Sequence, residues 1–205
     1  MNKKTLWFAS SNKGKIKDIK SLLGLFDIKF LDELPDYVEP EENGDTFEAN
    51  AIIKAKSLSE VVDGWVISDD SGFCVDALNG FPGVLSKRWA YPVSDDEKLC
   101  ELLLAKIKKE TNMSNLKANF TTCLVLYNHT LNKQYIFTGL CEGQLGDKII
   151  KGNDTFAYDW IFKPDQFNVY FAELSSELKR KISARGIAVK KLIDFIESKE
   201  FEYEY

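Results

Sequence analysis

Strand-like and helical apolar patterns alternate along this chain of 205 residues, and that alternation constrains its fold more than any other feature. A short apolar run at residues 5–9 predicts a strand, and apolar side chains at helical spacing over 15–23 predict a helix after it. Two β-rich runs at 118–127 and 133–140 predict a late hairpin, and a further helix follows over about 186–197. This order is typical of the α/β class, and the inserted hairpin predicts a mixed sheet.

Length and charge exclude several classes of protein. A domain usually has about 150 residues, so we expect residues 1–205 to form a single domain with two lobes. The net charge of −5 argues against a nucleic-acid binder, and no apolar segment is long enough to span a membrane. The four cysteines lack C-x-x-C spacing and His129 is the single histidine, which argues against a zinc centre. We therefore expect a cytoplasmic protein that binds neither nucleic acid nor membrane.

A small polar loop separates the first predicted strand from the first predicted helix. Its members are Ser10, Ser11, Asn12, Lys13, Gly14 and Lys15. Unpaired backbone N–H groups at a helix N-terminus favour an anion, and these side chains add further donors, so the loop suits a phosphate group. It has neither the Walker A nor the G-x-G-x-x-G spacing. The alternative interpretation is a helix cap flanked by two solvated lysines.

Acidic side chains follow a short strand predicted over residues 65–68. Asp69 and Asp70 come directly after that strand, and Glu42 lies in an earlier acidic loop. Carboxylates at strand ends in α/β proteins face the crevice where ligands bind. Mg²⁺ prefers hard oxygen ligands, so these carboxylates and a phosphate suit a magnesium site in which one carboxylate accepts a proton from water. The alternative is a plain turn, since Asp side chains favour turns by bonding their own backbone.

Three further features carry charge or aromatic surface. A capping-box signal from Asp45 to Glu48 predicts a helix that places Lys54 beside an apolar stripe, where a lysine either snorkels to solvent or meets an anion. The aromatic segment 155–160 either stacks on a planar base or packs into the core. Arg185, between two predicted helices, either presents its fork to a carbonyl or phosphate or ends a solvated basic run.

Taken together and in order, these pieces resemble the inosine triphosphate pyrophosphatase family, which acts on non-canonical purine nucleoside triphosphates. The matching motifs run from about residue 5 to 195: ASSNKGK at 9–15, ENGDTF at 42–47, NAIIKA at 50–55, SDDSGFCVDAL at 68–78, GFPG at 80–83, FxYDxxF at 156–162, AEL at 172–174 and KxxISxRG at 179–186. A single short motif has a high false-positive rate, but the ordered set is specific.

The resemblance implies a two-lobed α/β fold with a long mixed sheet, a central nucleotide cleft and a homodimer. It implies hydrolysis of a nucleoside triphosphate to the monophosphate and pyrophosphate, with Mg²⁺ as cofactor. The implied binding residues are Ser10, Ser11, Asn12 and Lys15 for phosphates, Ser71 and Lys54 for the triphosphate, Glu42 and Asp70 for Mg²⁺, and Lys179 and Arg185 for the nucleotide, with Arg185 near the base. Asp70, helped by Asp69, would orient or deprotonate the attacking water, and Phe156 would stack on a base whose pocket Tyr158 and Asp159 shape.

Two motifs depart from the pattern usual in that family. The sequence reads Thr155-Phe156-Ala157-Tyr158-Asp159-Trp160, where two glycines and a proline are replaced, and Ser183-Ala184-Arg185, where a histidine is replaced. Added Cβ atoms restrict the backbone and would narrow an approach to the base. We therefore hypothesise that cleavage is retained while base preference is shifted or loosened.

The alternative function is a sensor or regulatory protein of the same fold that binds a nucleotide without significant turnover. The replaced histidine favours it. The retained Asp69, Asp70, Glu42 and Lys54 argue against it, because a pure binder has less need of a carboxylate that activates water.

Overall fold

A six-stranded mixed sheet forms the centre of the computed structural model, which describes residues 5–24, 26–111, 116–152, 156–198 and 201. The strands are β1 (Thr5–Phe8), β2 (Asp27–Phe30), β3 (Trp65–Val75), β4 (Lys117–Asn128), β5 (Lys133–Leu145) and β6 (Phe162–Pro164). They lie in the order β2-β1-β3-β4-β5-β6, with β1 parallel to both β2 and β3 and β5 antiparallel to β6. The expected α/β class and mixed sheet are confirmed.

Five helices accompany the sheet in the described part of the chain: α1 (Lys13–Leu22), α2 (Phe47–Ser59), α3 (Asp96–Glu110), α4 (Ser176–Ile182) and α5 (Ala184–Glu197). Four of them begin at a polar residue whose side chain accepts a backbone N–H of the first turn: Asn12, Thr46, Asp95 and Ser175. Such caps satisfy donors that the helix leaves unpaired. The expected capping box at Asp45 is wrong by one residue, because Thr46 accepts from the Ala49 N–H at 3.0 Å.

Strand β3 is longer than the sequence pattern predicts. It continues through Asp69, Asp70 and Ser71 to Val75, so these residues lie inside a strand rather than at its end or in a turn. Polar side chains are tolerated there because each finds a charged or hydrogen-bonding neighbour in the fold. The expected short strand over 65–68 is thereby corrected.

Contacts divide the chain into two compact units. The first comprises residues 1–70, 122–139 and 184–205, and the second comprises 71–121 and 140–183. None of the described helices is both long and apolar enough to cross a bilayer.

In the first unit, alternate residues of the strands face different helices. Leu6, Phe8 and Ile67 pack in one core cluster with apolar residues of α1 and α5, whereas Ala9 and Val66 pack in another with α2. Successive side chains of a strand point to opposite faces, which explains the division. Within residues 65–70 of β3, odd-numbered residues therefore face α1 and α5, and even-numbered ones face α2.

The start of α5 lies closely against β5 at Gly139. A Cβ placed on Gly139 would overlap the carbonyl oxygen of Ala184, the first residue of α5. Only glycine permits this approach, and it fixes where Arg185, the next residue, begins its side chain.

Candidate active site

Asp69 and Asp70 are consecutive on β3 and are used in different ways. The strand's alternation sends Asp69 to the face covered by α1 and α5, and Asp70 to the face covered by α2. The ionic partners of the two carboxylates agree with that division. We call Lys15, Glu42, Lys54, Asp69, Asp70 and Arg185, all in the first unit, the carboxylate–lysine cluster.

Asp69 is fully buried and surrounded by cations. One carboxylate oxygen lies 3.0 Å from the Lys15 ammonium, and the other accepts the Arg185 Nε–H at 3.1 Å. Burial opposes ionisation, but Lys15, Arg185 and Lys54 outweigh it and hold the pKa of Asp69 well below its usual range. A carboxylate so strongly held in the charged form is a poor proton acceptor. The environment of Asp69 therefore favours a role as counter-ion, and the expected help from Asp69 in deprotonating water stays a prediction.

The main-chain carbonyl of Asp69 is a second acceptor for the same lysines. It accepts a hydrogen bond from Lys54 at 2.6 Å and from Lys15 at 3.2 Å. Lys15 belongs to α1 and Lys54 to α2, so two helices direct their ammonium groups to one peptide group of β3. Burial lowers the pKa of Lys15. The like charges of Lys54 and Arg185 lower this pKa further, whereas the attraction of Asp69 opposes the decrease.

Lys54 joins the two remaining carboxylates. Its ammonium lies 2.7 Å from a Glu42 oxygen and 3.7 Å from an Asp70 oxygen. Burial disfavours its charge, yet Asp69, Asp70 and Glu42 together raise the pKa of Lys54. Snorkelling is excluded, because Lys54 is only 4% exposed and meets anions instead.

Asp70 differs from Asp69 in its electrostatic balance. Burial raises its pKa, and Lys54 and Lys15 offset this only in part, while Glu42 reinforces it. One oxygen of Asp70 accepts from the Asn50 amide at 3.2 Å. A carboxylate with a raised pKa, held by a neutral donor, is better suited than Asp69 to accept a proton.

Asn50 is a residue of this site that sequence reasoning placed only beside the apolar stripe. It is fully buried, and its oxygen accepts the Gly44 N–H at 2.8 Å while its NH₂ group donates to Asp70. A Cβ on Gly44 would come within 2.9 Å of that oxygen. Asn50 thus connects the loop that contains Glu42 to Asp70. The signal was available, since position 50 lies one turn before Lys54 on the same helix face.

The polar loop at residues 10–15 caps α1. Asn12 accepts the Lys15 N–H at 3.1 Å, and the buried Ser10 hydroxyl accepts the Asn12 N–H at 3.2 Å. Ser11 is exposed. The capping interpretation is therefore realised, while Lys15 is directed inward rather than solvated. Phosphate binding by Ser10, Ser11 and Asn12 stays a prediction.

Arg185 lies in the first turn of α5 rather than between two helices. Besides Asp69, its guanidinium donates from Nη1 to Asp18 of α1 at 2.6 Å. These two carboxylates and burial set its protonation: burial alone would lower the pKa of Arg185, but Asp69 and Asp18 raise it. Sequence reasoning missed Asp18, whose partner lies 167 positions away along the chain.

The second unit contains the aromatic turn, a 3₁₀ turn over Ala157–Trp160 entered from Phe156. The Phe156 ring is 37% exposed and packs edge-on against the Tyr158 ring at 5.0 Å. The Phe156 N–H donates to Asp159 at 3.2 Å, and the Lys179 ammonium lies 2.6 Å from the same oxygen and 4.9 Å from the Phe171 ring centroid. Asp159 and Lys179 are therefore a pair that fixes this turn.

Tyr158 belongs to the interior of the second unit. Its ring is fully buried and stacks on Phe73 at 5.0 Å. Its hydroxyl donates to the Ser86 carbonyl at 2.8 Å and accepts from Trp89 Nε1 at 2.7 Å. The side chain is thus packed against protein on all these sides, which favours the core interpretation over direct contact with a base.

Two of the described departures from the family pattern fall in buried positions, and the third, Trp160, is half-buried. Ala157 is fully buried, and its carbonyl accepts from the Cys100 thiol at 3.1 Å. Its Cβ therefore fills the interior, which argues against the expected narrowing at this position. Ala184 is buried as well. Thr155 lies outside the described residues, and Ser71 is partly exposed on β3.

Glu42 and Asp70 are the candidates for holding a metal ion. The described residues contain no cluster of three or more His, Cys, Asp or Glu side chains arranged for a metal. Mg²⁺, however, is commonly bound by one or two carboxylates together with substrate phosphates and water. The two oxygens lie 2.7 and 3.7 Å from the Lys54 ammonium that they share. This donor set fits a divalent metal ion.

Comparisons of sequence agree with this geometry. The sequence model of the Ham1 family matches residues 6–195. A dITP/XTP pyrophosphatase of Bacillus cereus (strain ZK / E33L) is 41% identical over 194 residues, which cover 93% of this chain and 94% of that one. A dITP/XTP pyrophosphatase of Flavobacterium johnsoniae is 40% identical over 199 residues, with 93% and 97% covered.

Solved structures give the same result. The Ham1 protein of Staphylococcus aureus has a TM-score of 0.84 at 36% identity, covering 95% of this chain and 98% of its own. A HAM1 protein of Coxiella burnetii has a TM-score of 0.85 at 31% identity, covering 94% and 98%. On the extent of these matches, the chain belongs to the Ham1 family.

Proposed function

We propose that this protein hydrolyses non-canonical purine nucleoside triphosphates to the monophosphate and pyrophosphate. The observation that carries the proposal is the position of the Lys54 ammonium, which lies between Glu42 and Asp70 and donates to the carbonyl of the buried Asp69. The relatives named dITP/XTP pyrophosphatase are aligned over more than nine-tenths of this chain, so the substrate class of those proteins is the natural expectation.

In this reaction a water oxygen bonds to phosphorus while the α–β phosphoanhydride bond breaks and pyrophosphate leaves. Asp70 orients the water and accepts its proton. Lys54 and Lys15, aligned on the Asp69 carbonyl, provide positive charge for the phosphates. Glu42 and Asp70 would hold Mg²⁺, which when bound screens the phosphate charge and polarises the phosphoryl oxygens.

Base recognition is assigned to the aromatic turn. The half-exposed Phe156 ring is the candidate for stacking on the base, and Asp159 with Lys179 keeps the turn in place. Because Ala184 replaces the usual histidine, we expect a base preference that is shifted or loosened. The protein would act in the cytoplasm as a homodimer.

The test is pyrophosphate and orthophosphate release across canonical and deaminated ribo- and deoxynucleoside triphosphates, with and without Mg²⁺. We expect Mg²⁺-dependent pyrophosphate release from deaminated purine substrates, lost in Asp70→Asn. Asp27→Asn is the matched control, because Asp27 is an exposed carboxylate on β2 whose hydroxyl partner Thr5 lies 3.3 Å away. Orthophosphate as the first product would contradict the proposal. Nucleotide binding with no release from any substrate would favour the sensor.

A further inference from the structure

Arg185 is held at two of its nitrogens by carboxylates from two other elements. Asp69 of β3 accepts from Nε at 3.1 Å, and Asp18 of α1 accepts from Nη1 at 2.6 Å. A guanidinium bonded at both positions has its plane fixed, because rotation about its terminal bonds would break one of the two contacts. The side chain is 18% exposed, so it is neither solvated nor sealed in the core.

The two carboxylates that hold Arg185 differ in burial and in the cations that they contact. Asp69 is fully buried and also receives Lys15, with Lys54 on its carbonyl. Its negative charge is shared among three cations. Asp18 is 41% exposed, and its 2.6 Å contact is with Arg185. Removing Asp69 would leave several buried cations without enough negative charge to balance them. Removing Asp18 would release only the Nη1 end of the Arg185 guanidinium.

Asp18 is not explained by the helix that carries it. Aspartate is a poor residue for a helix interior, and Asp18 lies in the middle of α1. The positions four residues before and after it, Gly14 and Leu22, carry no charge, and Lys15, three residues before it, directs its ammonium to Asp69 instead. The contact that accounts for an acidic side chain at this position is therefore the one with Arg185.

We propose that Asp18 is a positioning residue for the reaction, holding the Arg185 guanidinium against Asp69 in the orientation that meets the nucleotide. This inference rests on the proposed function. Two contacts fix the orientation of the Arg185 guanidinium before substrate arrives. The side chain therefore loses less conformational freedom on binding and in the transition state. In this role Asp18 itself contacts neither substrate nor metal.

A double-mutant cycle on kcat/KM tests the proposal. Asp18→Ala should lower kcat/KM for pyrophosphate release by about ten- to a hundredfold in the wild-type background. In the Arg185→Ala background the same substitution should have less than about a twofold effect, since a residue that acts through another has nothing left to position. Asp18→Glu keeps the carboxylate and should recover most of the activity. Asp27→Ala is the matched control.

Each outcome decides the matter when kcat and KM are determined separately and the unfolding midpoint of each variant is measured. An equal loss on both backgrounds would overturn the positioning role. So would a loss that follows a lowered unfolding midpoint and is not recovered by Asp18→Glu. If the wild-type protein releases no pyrophosphate from any triphosphate, the proposed function fails and this role fails with it. Wild-type turnover with additive losses overturns the positioning role alone.

Discussion

Different physical interactions hold the side chains of the carboxylate–lysine cluster and of the aromatic turn in place. In the cluster, buried charges are paired through contacts of 2.6–3.2 Å that converge on one strand residue, Asp69. In the aromatic turn, ring packing behind Phe156 and a single ion pair, Asp159 with Lys179, hold a half-exposed side chain. Paired buried charge tolerates almost no substitution, because loss of one partner strands the other. Ring packing tolerates exchange of size and shape more readily.

This contrast matches what the family resemblance implied. Two positions that depart from the usual pattern, Ala157 and Ala184, are buried small residues, while every member of the charged cluster is retained. The substitutions thus fall where the physical cost is low. The predictions below test the contrast, from the largest expected effect to the smallest.

Replacing Lys54 should have the largest effect. Lys54→Met leaves Glu42 and Asp70 without their shared cation, so we expect a loss of about 3–5 kcal/mol in the free energy of unfolding. Pyrophosphate release should fall by about a thousandfold. Lys190→Met, which removes an exposed lysine paired with Asp194, is the control and should cost about 0.5 kcal/mol or less. Urea unfolding measures both, and equal costs would contradict the contrast.

Asp69→Asn should be next, with a pH dependence that identifies its cause. The folded pKa of Asp69 is depressed, so its ionisation stabilises the fold above the unfolded pKa of about 3.9, and that contribution is lost as pH falls toward the folded pKa. We therefore expect the variant to be less stable than wild type by about 2–4 kcal/mol at pH 7, with the difference shrinking below about pH 4. Urea titrations across that range measure the difference. A gap that widens on acidification would refute the counter-ion role.

Phe156→Ala should affect substrate binding more than folding. The ring is 37% exposed, so its removal should cost about 1 kcal/mol of stability or less. Loss of base stacking, which contributes about 1–3 kcal/mol, should raise KM for a purine triphosphate by about tenfold or more. Steady-state kinetics with a purine triphosphate and inorganic triphosphate separate base from phosphate contributions. An unchanged KM for the purine substrate would remove Phe156 from base recognition.

Tyr158→Phe should give the smallest effect of these four. It deletes the hydroxyl that bonds the Ser86 carbonyl and Trp89 while leaving the stacked ring, so we expect about 0.5–1 kcal/mol of lost stability. The thermal unfolding midpoint, compared with wild type and with Tyr91→Phe at an exposed position, measures it. A variant as stable as wild type would show that the buried hydroxyl contributes nothing.

Local chemistry accounts for what the sequence predicted well. The α/β alternation and the polar entry to α1 both depend on residues within a few positions of one another. The burial of Tyr158 depends on Ser86 and Trp89, which lie 72 and 69 positions away. Periodicity carries no information about such distant partners.

The same limit applies within the site. Sequence reasoning placed Asp69 and Asp70 together at the end of a strand, but adjacency within a strand sends side chains to opposite faces. The end of the strand was misplaced, since polar residues ordinarily terminate strands and here ionic partners allow it to continue. Asp18 carried no local signal, because its partner Arg185 comes from the far end of the chain.

The carbonyl of Asp69 has a consequence for how this enzyme family can drift in sequence. Two lysines from two helices are aligned on an oxygen that belongs to the main chain, so no side-chain replacement at position 69 can delete that acceptor. The spacing of the two positive charges is therefore inherited from the path of β3 rather than from the identity of the residue there. A lineage could exchange the side chain, weaken its activity and later regain it, because the alignment of the lysines would have survived the interval.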